Sequence, residues 1–180
     1  MFEEILNLLE EKKKYFYNFY LAAQQRGRKG QKKQYKVEKW VQAELINRFW
    51  DNETTVIPEY RLNDRYFWDL YFPEEDIFVA IKSYIESAQG LAAESPGMQR
   101  DLQEIKKNSR KCVFLLLLPS GEGKRNKRKN RYIDEVNRII GETLQERSRI
   151  KKGKGEDIYF ENTADNKGIH IHYWEFRENA

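Results

Sequence analysis

Apolar side chains near the amino-terminal end of the chain recur every three or four residues, and this spacing predicts two helices. The first covers residues 3–23 and the second about residues 35–50. Side chains at these intervals share one side of a helix, where they pack against a core. The stripe of the second helix consists of Val37, Trp40, Val41, Leu45 and Phe49.

Short apolar segments separated by turn residues follow these helices, and they predict strands. Residues 113–118 are apolar without interruption, as expected for a strand that is buried on both faces. Residues 90–97 resemble a loop or a broken helix, with Pro96 as a plausible first helical residue. The predicted strands are 54–62, 66–72, 77–84, 113–118, 157–162 and 169–176, and the later helices are 98–110 and 132–149.

The predicted order ααβββαβαββ indicates an α/β fold with a central mixed sheet flanked by helices. No internal repeat or long linker divides the chain. We therefore interpret residues 1–180 as a single domain. Within it, 1–33 hold a helix and a basic loop, 34–119 a central core, and 120–180 a second basic loop, a helix and two strands.

Three charged residues interrupt the apolar patterns. Glu44 lies on the stripe of the second helix, Asp69 interrupts an aromatic strand, and Lys82 interrupts the apolar strand after it. A carboxylate on an apolar surface is costly unless a cation accompanies it. The two strands are joined by a short turn, so antiparallel pairing would bring Asp69 close to Ala80 and Lys82.

The run of Asp69, ten further residues and Ala80-Ile81-Lys82 resembles the motif of the PD-(D/E)XK nuclease superfamily, which has the restriction-endonuclease-like fold. The resemblance covers about residues 35–119, including the α-β-β-β-α-β order. In that family the Asp, the acid of the tripeptide and the backbone carbonyl between acid and Lys bind Mg²⁺.

Carried to this chain, the resemblance implies a metal site and a catalytic lysine. Asp69 and the Ile81 carbonyl would be metal ligands, Lys82 the catalytic lysine, and Glu44 the helical acid that assists. Gln99, which opens the helix after the third strand, stands where some members place a Gln near the site. A lysine in this position orients or deprotonates the attacking water.

Position 80 departs from the family pattern, because Ala80 stands where an Asp or Glu is expected. Three explanations remain. The chain is an inactive variant in which Ala replaces Glu, which we rank first because the three interrupting charged residues are all retained. Alternatively, the acid has moved to Glu86 or Glu94, or the protein is a natural pseudonuclease that binds without cutting.

The basic residues are concentrated in one part of the chain. The formal net charge is only +4, from 33 Lys and Arg and 29 Asp and Glu. Residues 105–154 hold 16 basic and 5 acidic residues, whereas the other 130 residues hold 17 and 24. We interpret the densest tracts either as solvated loops or as loops that pair with nucleic-acid phosphates. Their candidate contacts are Arg26, Arg28, Lys29, Lys124, Arg125, Lys127, Arg128, Lys129 and Arg131.

His170 and His172 share one face of the last predicted strand. No Cys or third His lies near them in sequence, so edge-strand histidines or phosphate contacts are favoured over a metal site. The one Cys of the chain fits a reducing compartment. No apolar run approaches the roughly 20 residues that a bilayer requires, and no signal-peptide pattern is present. We expect a cytoplasmic protein without membrane segments.

The resemblance and the charge distribution together predict a metal-dependent endodeoxyribonuclease, which hydrolyses DNA phosphodiester bonds with Mg²⁺, or with Mn²⁺ in its place. By resemblance it would act as a homodimer or a higher homo-oligomer. One alternative is a non-catalytic nucleic-acid-binding pseudonuclease. Another is an RNA-directed or nucleotide-activated defence nuclease.

Overall fold

The computed structural model describes residues 2–24, 37–63, 66–83, 91–107, 110–144, 148–160 and 167–178. In this part of the chain the elements follow the order αααβββαβαββ. The helices are α1 (Phe2–Glu11), α2 (Lys13–Gln24), α3 (Val37–Asp51), α4 (Leu91–Lys107) and α5 (Lys124–Leu144). The strands are β1 (Ile57–Asn63), β2 (Tyr66–Phe72), β3 (Ile77–Ser83), β4 (Lys111–Ser120), β5 (Ser148–Tyr159) and β6 (Gly168–Glu178).

The described strands form one six-stranded mixed sheet in the order β1-β2-β3-β4-β6-β5. Strands β3 and β4 are parallel, with α4 between them in the chain, and every other neighbouring pair is antiparallel. The apolar run of β4 is buried from Cys112 to Leu118, as predicted for a strand covered on both faces. The predicted α/β architecture of a mixed sheet flanked by helices is therefore confirmed.

Helices cover both faces of this sheet. On one side, named here the α3 face, α1, α2 and α3 pack against Val113, Leu115 and Leu117 of β4. On the other side, named the α4 face, α4 and α5 pack against Phe114 and Leu116. Alternate side chains of a strand point to opposite faces, so one apolar strand serves two cores. Full burial of each such side chain contributes about 1.5–3 kcal/mol.

The order contains one helix more than predicted, because the segment 3–23 is divided between α1 and α2 at Lys12. The division is slight. The Lys12 N–H donates to the Leu8 carbonyl, and the Lys12 carbonyl accepts from the Phe16 N–H, both at 2.9 Å. Helical hydrogen bonds thus continue across the boundary. The apolar spacing indicated the helical segment but not this local irregularity.

The prediction of a basic loop over residues 124–131 is wrong, because these residues form the first two turns of α5. Lys and Arg are good helix formers, and the two Asn residues of this tract do not outweigh them. The turn before the helix contains Gly123 with a φ of 60°, a backbone conformation that glycine adopts at little cost. The helix begins directly after it.

The prediction that this helix extends to residue 149 is also wrong. Helix α5 ends at Leu144, and β5 begins at Ser148. Strand β5 is much longer than predicted because it pairs with the whole of β6, from Ser148 opposite Glu178 to Tyr159 opposite Gly168. Tertiary pairing here overrides the local helical pattern. In α4, likewise, Pro96 lies inside the helix rather than at its first position.

Within the described helices, none is long and apolar enough to cross a bilayer.

Candidate functional site

The central feature of the candidate site is the point at which β2 and β3 separate. The two strands pair from Phe72 opposite Ile77 to Leu70 opposite Val79. Beyond this rung, the Ile81 N–H donates instead to Oδ2 of Asp69 at 2.7 Å. The carboxylate of Asp69 thus takes the place of a strand partner and lies against the segment Ala80-Ile81-Lys82, the proximity that the sequence predicted.

Burial raises the pKa of Asp69 above its ordinary value. The Ile81 N–H and the positive charges of Lys39 and Lys82 act in the opposite direction, whereas the charge of Asp101 raises the pKa further. The net shift is upward. Directional contacts hold the carboxylate in place, and additional positive charge nearby would stabilise its ionised form.

Lys82 forms a partly buried ion pair with an acid of α4 that was not among the predicted site residues. Its Nζ lies 2.9 Å from Oδ2 of Asp101 in α4. Asp101 is only 2% exposed, and its Oδ1 accepts a hydrogen bond from the Tyr66 hydroxyl at 2.9 Å. Burial alone would lower the pKa of Lys82, but the charges of Asp101, Glu38 and Asp69 outweigh it and raise the pKa.

A signal for Asp101 was present in the sequence. Met98, Leu102 and Ile105 form the apolar stripe of α4 and are buried. Asp101 follows Met98 by three residues and precedes Ile105 by four, so it lies on this stripe. This is the same observation that led us to select Glu44 on the preceding helix.

Glu44 is not brought together with Asp69 and Lys82. Residues of a helix are about 100° apart around its axis, so Glu44 projects roughly 160° away from Gln42. Gln42 is a residue of α3 that contacts Asp69, because its amide donates to the Asp69 carbonyl at 2.6 Å. The α3 acid whose charge acts on Lys82 is Glu38. The charge of Glu38, rather than that of Glu44, thus acts on Lys82, and the role of a helical acid stays a prediction from the resemblance.

A second group missed by the sequence analysis lies on the α3 side of Asp69. Lys39 Nζ lies 3.5 Å from Oδ1 of Asp69 and 3.0 Å from Oε1 of Gln42. It also forms an ion pair with Glu59 of β1, whose carboxylate accepts a bond from the Gln42 amide at 3.2 Å. Burial lowers the pKa of Lys39, and the hydrogen bond and charge of Glu59 with the charge of Asp69 reverse this into a net rise.

The backbone of Glu59 has a φ of 50°, a left-handed conformation that costs a non-glycine residue of order 1 kcal/mol. The contacts of its carboxylate with Lys39 and Gln42 hold it in place. Strain of this kind persists only where the surroundings determine the conformation. Glu59 therefore lies on β1 at the level where β2 and β3 stop pairing, just beyond the pair of Leu70 and Val79.

The donor groups present do not fit a Mg²⁺ site. Asp69 is engaged by Ile81 and Lys39, and Asp101 by Lys82 and Tyr66. Ala80 is fully buried and supplies a methyl group where the resemblance requires a carboxylate. Among the described residues, no group of three or more His, Cys, Asp or Glu is arranged to hold a metal ion.

The basic residues of α5 are divided between two sides of the helix. Lys124, Lys127, Arg128 and Arg131 are exposed, and their spacing places them on one side. Lys129 lies on the other side, where its Nζ donates to both carboxylate oxygens of Asp157 at 3.1 and 2.8 Å. Its prediction as a nucleic-acid contact is wrong, because the ammonium group is buried and paired.

The remaining predicted contacts have different positions. Gln99 is exposed on α4. Arg125 is partly buried, and its Nη1 has no hydrogen-bond partner among the described residues. Outside the described residues lie Arg26, Arg28, Lys29 and Glu86, together with the side chain of Glu94.

The two histidines belong to the same polar cluster as Lys129. Asp157 accepts hydrogen bonds from Ser120 and Lys129, and its Oδ1 lies 3.1 Å from His170 Nδ1. His170 Nε2 in turn lies 3.1 Å from His172 Nδ1. Burial and the charge of His170 lower the pKa of His172 to about 4.

This cluster fixes α5 to β5 and β6. Although burial alone would raise the pKa of Asp157, its hydrogen bonds with His170, Lys129 and Ser120 lower it well below the ordinary range. The close packing also requires glycine in β5. A Cβ at Gly155 would lie 2.6 Å from nitrogens of both His170 and His172, which is too close for any larger residue.

Comparisons of the chain with protein-family models, with curated proteins and with solved structures found no match.

Proposed function

We propose that this protein binds DNA phosphodiester groups at a nuclease-type site between β2 and β3, and that the absence of an acid at position 80 prevents it from hydrolysing them. The observation that carries the proposal is the contact of Asp69 with the Ile81 N–H. It brings the separated halves of the motif, Asp69 and Ala80-Ile81-Lys82, to one place in the fold.

The balance of charge around Lys82 supports the proposal. Three carboxylates, those of Asp101, Glu38 and Asp69, act on this one ammonium group. Two of them are largely buried. To assemble these charges in a poorly solvated place is costly, and packing of the apolar cores alone does not explain it. Neither Asp69 nor Lys82 is required by packing of the apolar cores.

The position of the exposed basic side of α5 is a second support. Because β3 and β4 are parallel, with Lys82 opposite Leu116, their carboxyl ends lie at the same edge of the sheet. Helix α5 starts just beyond the end of β4 at Ser120, about 13 Å past the level of Lys82 at the usual rise per strand residue. Lys124, Lys127, Arg128 and Arg131 would hold the nucleic-acid backbone beside the site.

The chemistry follows from the side chains at hand. Lys82 supplies a positive charge for a phosphodiester oxygen, and Asp101 orients that ammonium group from the buried side. Asp69 is held in place by Ile81 and Lys39. With Ala80 there is no second carboxylate to anchor an attacking water, so we expect binding without hydrolysis. A Glu at position 80 would convert the protein into a Mg²⁺-dependent endodeoxyribonuclease.

A protein that only binds nucleic acid, whatever stands at position 80, is the second candidate. The engagement of Lys82 by Asp101 favours it, because an ion-paired lysine is less available to a substrate. The two candidates share the binding step and differ only in whether an acid at position 80 restores cleavage.

The binding step is tested by fluorescence anisotropy of labelled duplex DNA, single-stranded DNA and RNA over a series of salt concentrations. We expect the logarithm of the association constant to fall linearly with the logarithm of salt concentration, because phosphate contacts release counterions. Binding to none of the three polymers, or binding that salt does not weaken, would contradict the proposal.

A further inference from the structure

An aromatic side chain stands exposed next to the candidate site. Phe67 of β2 is 50% exposed, although it lies only two residues before Asp69. Its cross-strand partner is Arg61 of β1, and the guanidinium carbon of Arg61 lies 4.7 Å from the centre of the phenyl ring. A cation at this distance interacts favourably with the ring and supports it from one side.

Phe67 and Asp69 point to the same face of the sheet. Tyr66 and Trp68, which flank Phe67, pack into the core of the α4 face. Since side chains alternate along a strand, Phe67 points to the α3 face. Asp69 also meets α3, through Lys39. At a rise of about 3.3 Å per residue, the backbone positions of Phe67 and Asp69 are roughly 6.6 Å apart along the strand.

Helix α3 covers one of these two neighbouring positions and leaves the other open. Lys39 and Gln42 lie over Asp69, whereas Phe67 retains half of its surface exposed and Arg61 is exposed beside it. A lone exposed apolar residue is ordinary. Here, however, the ring is backed by a cation and lies two residues along the strand from Asp69, which Lys39 contacts on the same face. Together these groups resemble the parts of a nucleobase platform, in which aromatic rings and arginine stack on bases.

We propose that Phe67, supported by Arg61, stacks on an unpaired nucleobase next to the phosphodiester bound where β2 and β3 separate. The inference rests on the proposed function and narrows its substrate. A base paired within a duplex cannot lie flat on this ring. The preferred ligand is therefore single-stranded or locally unpaired nucleic acid, with little preference among bases because every base has a π face.

The test compares two alanine substitutions at aromatic residues of equal exposure. Phe67→Ala removes the platform, and Tyr159→Ala is the matched control, since Tyr159 is 51% exposed on β5 at the opposite edge of the sheet. Binding is measured with short labelled single strands, either intact or carrying one abasic nucleotide at successive positions. Phe67→Trp serves as a variant that keeps an aromatic ring.

We expect Phe67→Ala to weaken binding of the intact strand by about five- to a hundredfold, the range found for a lost base–aromatic stack. Tyr159→Ala leaves binding unchanged, and Phe67→Trp retains it. In the unsubstituted protein, one abasic position weakens binding by a similar factor. In Phe67→Ala the same abasic position has no further effect, because the two changes remove the same contact.

Several results would overturn the inference while leaving the proposed function in place. They are equal binding by Phe67→Ala and the unsubstituted protein, equal losses for Phe67→Ala and Tyr159→Ala, or additive effects of Phe67→Ala and every abasic position. A change of sedimentation coefficient in Phe67→Ala without a change in the abasic pattern would assign the ring to a contact between copies of the chain. Failure of the unsubstituted protein to bind any nucleic acid would instead contradict the proposed function itself.

Discussion

Oδ2 of Asp69 accepts a hydrogen bond from the backbone N–H of Ile81 at 2.7 Å, where β2 and β3 cease to pair. The contact joins two roles in one side chain. It satisfies a backbone donor that the separated strands leave without a ladder partner, and it holds a carboxylate at the motif tripeptide. Stability and the candidate site therefore depend on the same group.

Two substitutions at Asp69 separate these roles. Asp69→Asn keeps an oxygen that accepts from Ile81 and removes a buried charge whose pKa is raised, so we expect the free energy of unfolding to change by less than about 1 kcal/mol. Asp69→Ala leaves a buried N–H without a partner and costs about 2–3 kcal/mol. Urea unfolding measures both. An alanine variant as stable as the asparagine variant would show that the Ile81 bond contributes nothing.

The ion pair between Lys82 and Asp101 is expected to be asymmetric. Lys82→Met strands a carboxylate that is almost fully buried, and we expect a loss of about 3 kcal/mol in the free energy of unfolding. Asp101→Asn is expected to cost less, because the side chain of Lys82 is 29% exposed and its ammonium group can turn towards water. Urea unfolding of both variants measures the difference.

The surface pair of Arg138 with Glu135 is the control for that comparison. Arg138 is exposed, so Arg138→Ala should change the free energy of unfolding much less than Lys82→Met does. Equal costs for Lys82→Met and Asp101→Asn, or a cost for Lys82→Met no larger than that of Arg138→Ala, would contradict the buried pair as described.

His172 predicts a specific dependence of stability on pH. Its pKa falls from an ordinary 6.5 to about 4 in the fold, so between these values the unfolded chain binds a proton that the folded chain does not. The contribution of His172 to the free energy of unfolding is therefore fully present above pH 6.5, and it decreases as the pH falls towards 4. After allowance for partial exposure, we expect a decrease of about 1–2 kcal/mol.

The measurement is chemical unfolding at a series of pH values for the unsubstituted protein and for His172→Gln, which keeps a polar group beside His170. The variant should lack this decrease between pH 6.5 and 4. Identical slopes for the two proteins across that interval would contradict the assignment to His172.

The exposed side of α5 predicts a change in the salt dependence of DNA binding. Replacing Lys124, Lys127 and Arg131 with Gln should reduce the slope of log K against log salt by up to about 3, close to 0.9 per lost phosphate contact. The control replaces Lys106, Lys107 and Arg110 with Gln, three cations that lie at the end of α4 and just before β4, where that strand begins rather than where it ends. An equal reduction in slope for both triple variants would indicate general charge rather than a located surface.

The spacing of apolar residues and the pairing of two strands joined by a short turn made part of the site predictable. A short turn between two strands determines which residues lie near each other, so Asp69 was expected beside Ala80 and Lys82, where it is found. The apolar stripe correctly predicted that α3 packs against the sheet, but it led to an acidic residue on the wrong side of this helix. Glu44 flanks the stripe on one side, and the residues that face the strands, Glu38 and Gln42, flank it on the other.

Other features depended on contacts that no local pattern encodes. Glu59 and Lys39 are polar residues of ordinary appearance in the sequence, and they become part of the site only because α3 crosses β1 and β2. The basic tract around Lys127 is predicted as a loop, although helix propensity and the anchoring of Lys129 by Asp157 extend α5 through it. In these places tertiary contacts determine the secondary structure and the neighbours of a residue, which the local sequence does not specify.

The most direct measurement is cleavage of plasmid DNA by the Ala80→Glu variant in the presence of Mg²⁺ or Mn²⁺. We expect this variant to nick or linearise the plasmid and chelation to stop the reaction. We expect no cleavage by the unsubstituted protein or by Ala80→Gln. Adding Lys82→Met to Ala80→Glu should abolish the activity again, which excludes a contaminating nuclease. A folded Ala80→Glu protein that binds DNA yet shows no metal-dependent cleavage would contradict the nuclease-type site and leave a protein that only binds.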